Sequence, residues 1–238
     1  MAHIKVHNVE LIYPLRRPMA LRDLLGRGSK PRVAHISALR DVSFNLQAGD
    51  RLGLVGHNGA GKTTLLKLLY GLYYPTGGTV DVRGRVDALF NINLGFRPEA
   101  SGRRNIRLRG LLQGWTSAEI DRRTEEIIAF CELEKFIDLP FKTYSQGMAA
   151  RLAFATATTM KPEILLMDEW IGAGDAAFQR KARERMGELA EKAAIIVLAS
   201  HNLKLIQGTC NKILELEEGR VTAMMHADKW FETRSSQY

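Results

Sequence analysis

The chain has 238 residues, 45% hydrophobic and 25% charged, the balance of a soluble globular protein able to bury one large core. No apolar run approaches the roughly 18 residues of a membrane span, and the start, Met1-Ala2-His3-Ile4-Lys5-Val6, has no signal-peptide core. The net charge of +8 points to an anionic partner: nucleotide, nucleic acid or an anionic membrane face.

Residues 3–13 alternate loosely and predict an edge strand, stopped by Pro14. A basic insertion of about residues 14–36 follows. From Leu11 to Arg40 stand Arg16, Arg17, Arg22, Arg27, Lys30, Arg32 and Arg40 against Asp23 alone. Leu21, Leu24 and Leu25 have the spacing of a short amphipathic helix, broken by Gly26, Gly28 and Pro31. A solvated basic loop is the plain reading; leucines together with arginines also suit an element facing a membrane partner or the inner leaflet.

A strand is expected through Val42–Leu46, a turn at Ala48-Gly49-Asp50, and a short buried strand over Arg51–Val55. Next comes Gly56-His57-Asn58-Gly59-Ala60-Gly61-Lys62-Thr63-Thr64, and then Leu65–Leu69, which reads as a helix. G-x-x-x-x-G-K-[ST] between strand and helix is a phosphate-binding loop. Its glycines let successive N–H groups point inward at an anion, and the helix N-terminus adds its positive end. Lys62 is placed to reach the β- and γ-phosphates of a nucleotide, and the Thr63 hydroxyl to reach Mg²⁺.

Thr79–Val82 and Arg85–Ile92 read as strands. From about residue 97 to 160 the pattern becomes helical, with Ser101 and Ser117 as caps and a third helix from Ser145. Glu163–Met167 predicts a central strand ending in Asp168-Glu169, and a charged helix spans about Ala176–Lys192. Ala194–Ala199 is another buried strand, ending in Ser200-His201-Asn202. Short strands at Lys212–Leu216 and Arg220–Met224 close the chain. Cys131 and Cys210 have no metal-ligand spacing and read as reduced thiols.

Phosphoryl transfer to water needs a phosphate cradle, a metal, a positioned water and a γ-phosphate reporter. Asp168, at a strand end, is the candidate for Mg²⁺. Glu169 is the candidate general base, although an Asp-Glu pair also serves as a helix cap. Strands of a parallel sheet deliver their C-terminal ends to one crevice, which brings in His201. A lone His at a strand end is otherwise structural.

These motifs, in this order, resemble the nucleotide-binding subunit of an ABC transporter. Gly56–Thr64 resembles Walker A, Ile164–Glu169 Walker B, Tyr144-Ser145-Gln146-Gly147-Met148 the ABC signature, Gly172-Ala173-Gly174-Asp175 the D-loop, and His201 the switch histidine. The signature variant, the Asp168–Phe178 segment and Gly95-Phe96-Arg97-Pro98-Glu99 with Ser101–Ile106 are similar to the subfamily exporting O-antigen, capsule or teichoic-acid polymers.

The resemblance implies an α/β fold. It would comprise a P-loop NTPase core with a mostly parallel sheet, an N-terminal antiparallel β subdomain and a helical subdomain inserted at about 97–160, all in one domain over 1–238. It implies ATP and Mg²⁺ as ligands, catalysis by Glu169, His201 and Lys62, and Tyr13 stacking on adenine in place of plain strand packing. It also implies a head-to-tail sandwich in which Ser145, Gln146, Gly147 and Asp175 meet the nucleotide of a second copy. The family's metal-contacting Gln is missing; Asn91 or Asn93 stands nearest.

The expected partners are a transmembrane permease, a second copy and, indirectly, a lipid-linked polysaccharide, at the cytoplasmic face of the inner membrane. A soluble ABC-type ATPase acting on nucleic acid or ribosomes is the alternative, and the charge suits it. Such proteins resemble tandem units or carry a long coiled coil, and this chain has neither, so no nucleic-acid partner is expected.

Overall fold

The computed structural model describes residues 1–15, 34–90, 95–169 and 175–235. The expected amphipathic helix with Leu21, Leu24 and Leu25, the arginines from Arg16 to Arg32, Asn91, Asn93 and Gly172–Gly174 lie outside the described residues. The chain divides into two compact units. One comprises Met1–Val86, Leu166–Glu169 and Ala194–Tyr238; the other comprises Asp87–Leu165 and Trp170–Ala193.

The first unit opens with an antiparallel sheet of order β2-β1-β4, built from β1 (His3–Leu15), β2 (Ala34–Gln47) and β4 (Gly77–Arg83). β1 is therefore central rather than an edge, and it runs through Pro14. Its pairing with β4 ends at Glu10 and Gly77, while its pairing with β2 continues to Leu15 and Ala34. Among the described residues no strand pairs with that side of β1 beyond Glu10, and an unpaired edge tolerates a residue without an N–H.

The second sheet of this unit is built around β3 (Arg51–Val55), which runs parallel to both β7 (Ile195–Ala199) and β8 (Lys212–Glu217). The strands of this sheet that reach into this unit run in the order β6-β7-β3-β8-β9. β6 (Ile164–Asp168) enters through Leu166–Asp168, and β9 (Arg220–His226) lies antiparallel to β8. Every residue of β7 is buried, which is why it reads as an unbroken apolar run. Helix α1 (Lys62–Leu69) buries Leu65, Leu66, Leu68 and Leu69.

The second unit takes up the chain inside β5 (Val86–Leu89). Helix α2 (Gly102–Leu112) starts where the Ser101 side chain accepts from the Arg104 N–H. Buried Asn105 latches the preceding loop: its Oδ1 accepts from Arg97 N–H at 2.6 Å and its Nδ2 donates to Arg97 O at 3.0 Å and Ser101 O at 3.1 Å. Helix α3 (Ser117–Cys131) is capped by Thr116, not Ser117. Thr116 and Glu119 form a reciprocal capping box, which satisfies two otherwise orphaned N–H groups. Helix α4 (Gln146–Ala157) begins at Ser145 and α5 (Ala176–Lys192) at Asp175. The core here gathers Ile106, Ile120, Ile127, Cys131, Ile137 and Leu152. The two thiols are buried and unpaired.

Two short helices of the first unit carry little sequence signal: α6 (Leu203–Thr209), capped by Asn202, and α7 (Ala227–Ser235). Among the described residues no helix is long and apolar enough to cross a membrane.

Candidate active site

The loop between β3 and α1 is shaped by positive-φ glycines. Gly56 has φ 144°, and a Cβ there would stand 2.2 Å from the Leu216 carbonyl oxygen. Gly61, the N-cap of α1, has φ 110° and offers no side-chain cap. The first N–H groups of α1 are thus left for another acceptor, the arrangement that holds phosphate at a helix start.

Lys62 is buried, and its ammonium donates to Gly56 O at 2.6 Å and His57 O at 3.0 Å. Burial holds its pKa below the usual lysine value, while the charges of Asp168 and Glu169 oppose that shift. Thr63 Oγ1 donates to Asp168 Oδ2 at 2.6 Å. These are two hard oxygen donors side by side, the chemistry Mg²⁺ takes together with phosphate and water.

Glu169 follows β6 in a left-handed conformation, φ 68°, with its N–H donating to Ala199 O at 2.7 Å. Non-glycine residues adopt this region at a cost, and such strain gathers at working sites. The bond ties Glu169 to the end of β7, two residues before His201. His201 Nε2 lies 3.8 Å from Glu169 Oε1.

A cavity of about 760 Å³ opens over these groups. Asn58–Thr64, Asp168, Glu169, His201 and Tyr13 line it. Gly56 and His57 line a separate cavity of about 260 Å³ that also reaches His201. The Tyr13 ring meets Tyr73 edge-on, centroids 5.4 Å apart. Burial pushes its phenol pKa up, and a hydrogen bond with Thr64 works against that.

Sequence reading missed the remaining walls. These are Ile36, Ser37, Ala38 and Arg40 on β2, and Glu218 and Gly219 at the β8–β9 turn. Gly219 N–H donates to Ala60 O at 2.9 Å, and Arg40 N–H donates to Gly219 O at 2.8 Å. The Glu218-Gly219 pair is a hairpin signal, but no local pattern says which loop a turn will touch.

In the second unit, Ser145, Gln146, Gly147 and Asp175 line their own cavity of about 600 Å³. Ser145 Oγ accepts from the Met148 N–H at 3.2 Å. Gly147 faces open space, a Cβ there meeting only Ser145 Oγ at 3.9 Å. Arg151 pairs with Asp175 and lies over the Phe178 ring, 5.1 Å from its centre. A hydrogen bond from the Phe178 backbone, and then the Arg151 charge, hold the Asp175 carboxyl below the usual range.

The family model described as "ABC transporter" matches residues 39–172, more than half of the chain. The chain is 43% identical over 231 residues to the O-antigen export system ATP-binding protein RfbE of Yersinia enterocolitica, covering 93% of this chain and 97% of that one. It is 36% identical over 244 residues to the teichoic acids export ATP-binding protein TagH of Levilactobacillus brevis, covering 98% and 67%. Its fold matches a dimeric ATP-binding cassette in a post-hydrolysis state bound to ADP and Pi, with TM-score 0.70 and 22% identity over 94% of this chain and 98% of that one. Family model, near full-length relatives and fold agree, and the chain belongs to the ABC transporter family.

Proposed function

We propose that this chain is the ATP-binding and ATP-hydrolysing subunit that powers a membrane exporter of a lipid-linked polysaccharide such as O-antigen. The observation that carries this is the 43% identity to an O-antigen export ATP-binding protein across almost the whole of both chains. The geometry supports ATP as fuel: a glycine loop with free helix-start N–H groups, a buried lysine, a Thr–Asp oxygen pair and a Glu–His pair line one cavity.

In this reading the loop N–H groups and Lys62 bind the β- and γ-phosphates. Thr63 and Asp168 hold Mg²⁺, which supplies charge neutralisation to the phosphates. Glu169 takes the proton of the attacking water, and His201 supports the γ-phosphate end. Ser145, Gln146, Gly147 and Asp175 serve the nucleotide of a second copy. The subunit sits peripherally on the cytoplasmic face of the inner membrane against a permease.

The similarity to a teichoic acid export protein, over 98% of this chain, favours polyol-phosphate export as the second reading. The test replaces the native gene with a Glu169→Gln version at equal protein level. Surface polysaccharide should disappear while lipid-linked polymer accumulates inside the cell. Chemical analysis of that retained polymer separates glycan from teichoic acid. Unchanged surface polymer would reject the exporter role.

A further inference from the structure

Arg40 lines the same cavity as the phosphate loop but belongs to no nucleotide motif. Its place there is built by the backbone. Leu46, Phe44 and Val42 are buried in strict alternation along β2, a pattern that would next carry Arg40 into the core. The register breaks that pattern: Val9 pairs with Val42 and Leu11 with Leu39, so β2 advances three residues where β1 advances two. The extra residue restores Leu39 to the core at 0% exposure and leaves Arg40 at the cavity. Bulges beside functional sites re-aim side chains in this way.

The bulge is held firmly. Asp41 stands at φ 54° and Asn8 at φ 47°, and Asn8 Nδ2 donates to Asp41 Oδ1 at 2.7 Å. The Arg40 N–H is tied through Gly219 to Ala60 of the phosphate loop. The guanidinium Nε is buried and donates to no group among the described residues. On the same cavity the Lys62 ammonium already donates to two loop carbonyls.

We propose that Arg40 is a further nucleotide-binding residue, donating charge-assisted hydrogen bonds to the phosphate chain of the bound nucleoside triphosphate. The inference rests on the nucleotide-site reading above. A guanidinium fork matches phosphate oxygens, and the loss of such a contact weakens binding about tenfold.

The test is calorimetry with MgATP and MgADP on the intact chain, comparing wild type, Lys62→Ala, Arg40→Gln and Arg40→Lys. Arg40→Gln should weaken both nucleotides about tenfold, and Arg40→Lys, keeping the charge, should fall between it and wild type. If Lys62→Ala weakens binding while Arg40→Gln stays within about twofold of wild type, the Arg40 assignment alone is overturned. If wild type binds neither nucleotide, the site reading falls and the Arg40 assignment with it. Should the variants misfold, phenylglyoxal labelling of wild type decides: MgATP should protect Arg40 in a peptide map, and unprotected labelling overturns the proposal.

Discussion

Glu169 shows how one residue's chemistry depends on its backbone. Its φ of 68° and its N–H bond to Ala199 fix the carboxylate 3.8 Å from His201. Glu169→Gln keeps that shape and removes the basic oxygen. Steady-state ATP hydrolysis should fall by about two to four orders of magnitude, with nucleotide affinity by calorimetry kept. Turnover within a few-fold of wild type would remove Glu169 as the base. For the two thiols, burial sets the chemistry. Burial pushes Cys131 and Cys210 from 9.0 up to about 12. Native protein at pH 8 should therefore resist iodoacetamide, with both thiols reacting in denaturant. The folded state favours the neutral thiol, so this contribution to stability is complete below the unfolded pKa near 9.0 and is lost as pH rises towards about 12. Denaturant midpoints should decline across that window; midpoints flat to pH 11 would contradict it.

Ser101, Thr116, Ser145, Asp175 and Asn202 each accept a hydrogen bond from an N–H of the helix they open. The phosphate-loop helix α1 differs, opening on Gly61 without a side-chain cap. Five helices satisfy their own first turn, and α1 leaves its donors for a ligand. Thr116→Ala should cost about 1 kcal/mol in denaturant unfolding, since it removes one half of the capping box. No loss beyond error would mean that Glu119 alone holds the α3 start. Cap residues are legible because they act within four residues. The choice between Thr116 and Ser117 was legible too, and Ser117 was the wrong expectation: both are good caps, but Glu119 lies three residues after Thr116 only, the spacing of a reciprocal box.

For the whole molecule, the phosphate loop and the signature helix start belong to different compact units, and each lines a cavity of its own. A head-to-tail pair of copies would use both. Lys62→Ala and Ser145→Arg chains, each inactive alone, should recover part of the wild-type hydrolysis when mixed, because one composite site keeps both intact halves. A mixture that stays dead despite demonstrated heterodimers would reject the sandwich, unless strict coupling between its two sites is shown by a covalently linked heterodimer with one intact site.

The sequence by itself determined the strand–loop–helix around Lys62, the buried strands ending at Asp168 and before His201, the starts of the three helices after Ser101, Thr116 and Ser145 to within a residue or so, and the span of the charged helix over 176–192. Each of these rests on local physics: glycine freedom, apolar periodicity and capping. Only the tertiary structure decided that β1 is central, that the β8–β9 turn braces the phosphate loop, and that Arg40 lies on its cavity. Strand order, hairpin docking and bulge register arise from pairings between residues far apart in the chain. A bulge shifts the alternation by one residue through pairing with a distant strand, so the alternation of Val42, Phe44 and Leu46 extended back along β2 would have carried Arg40 into the core.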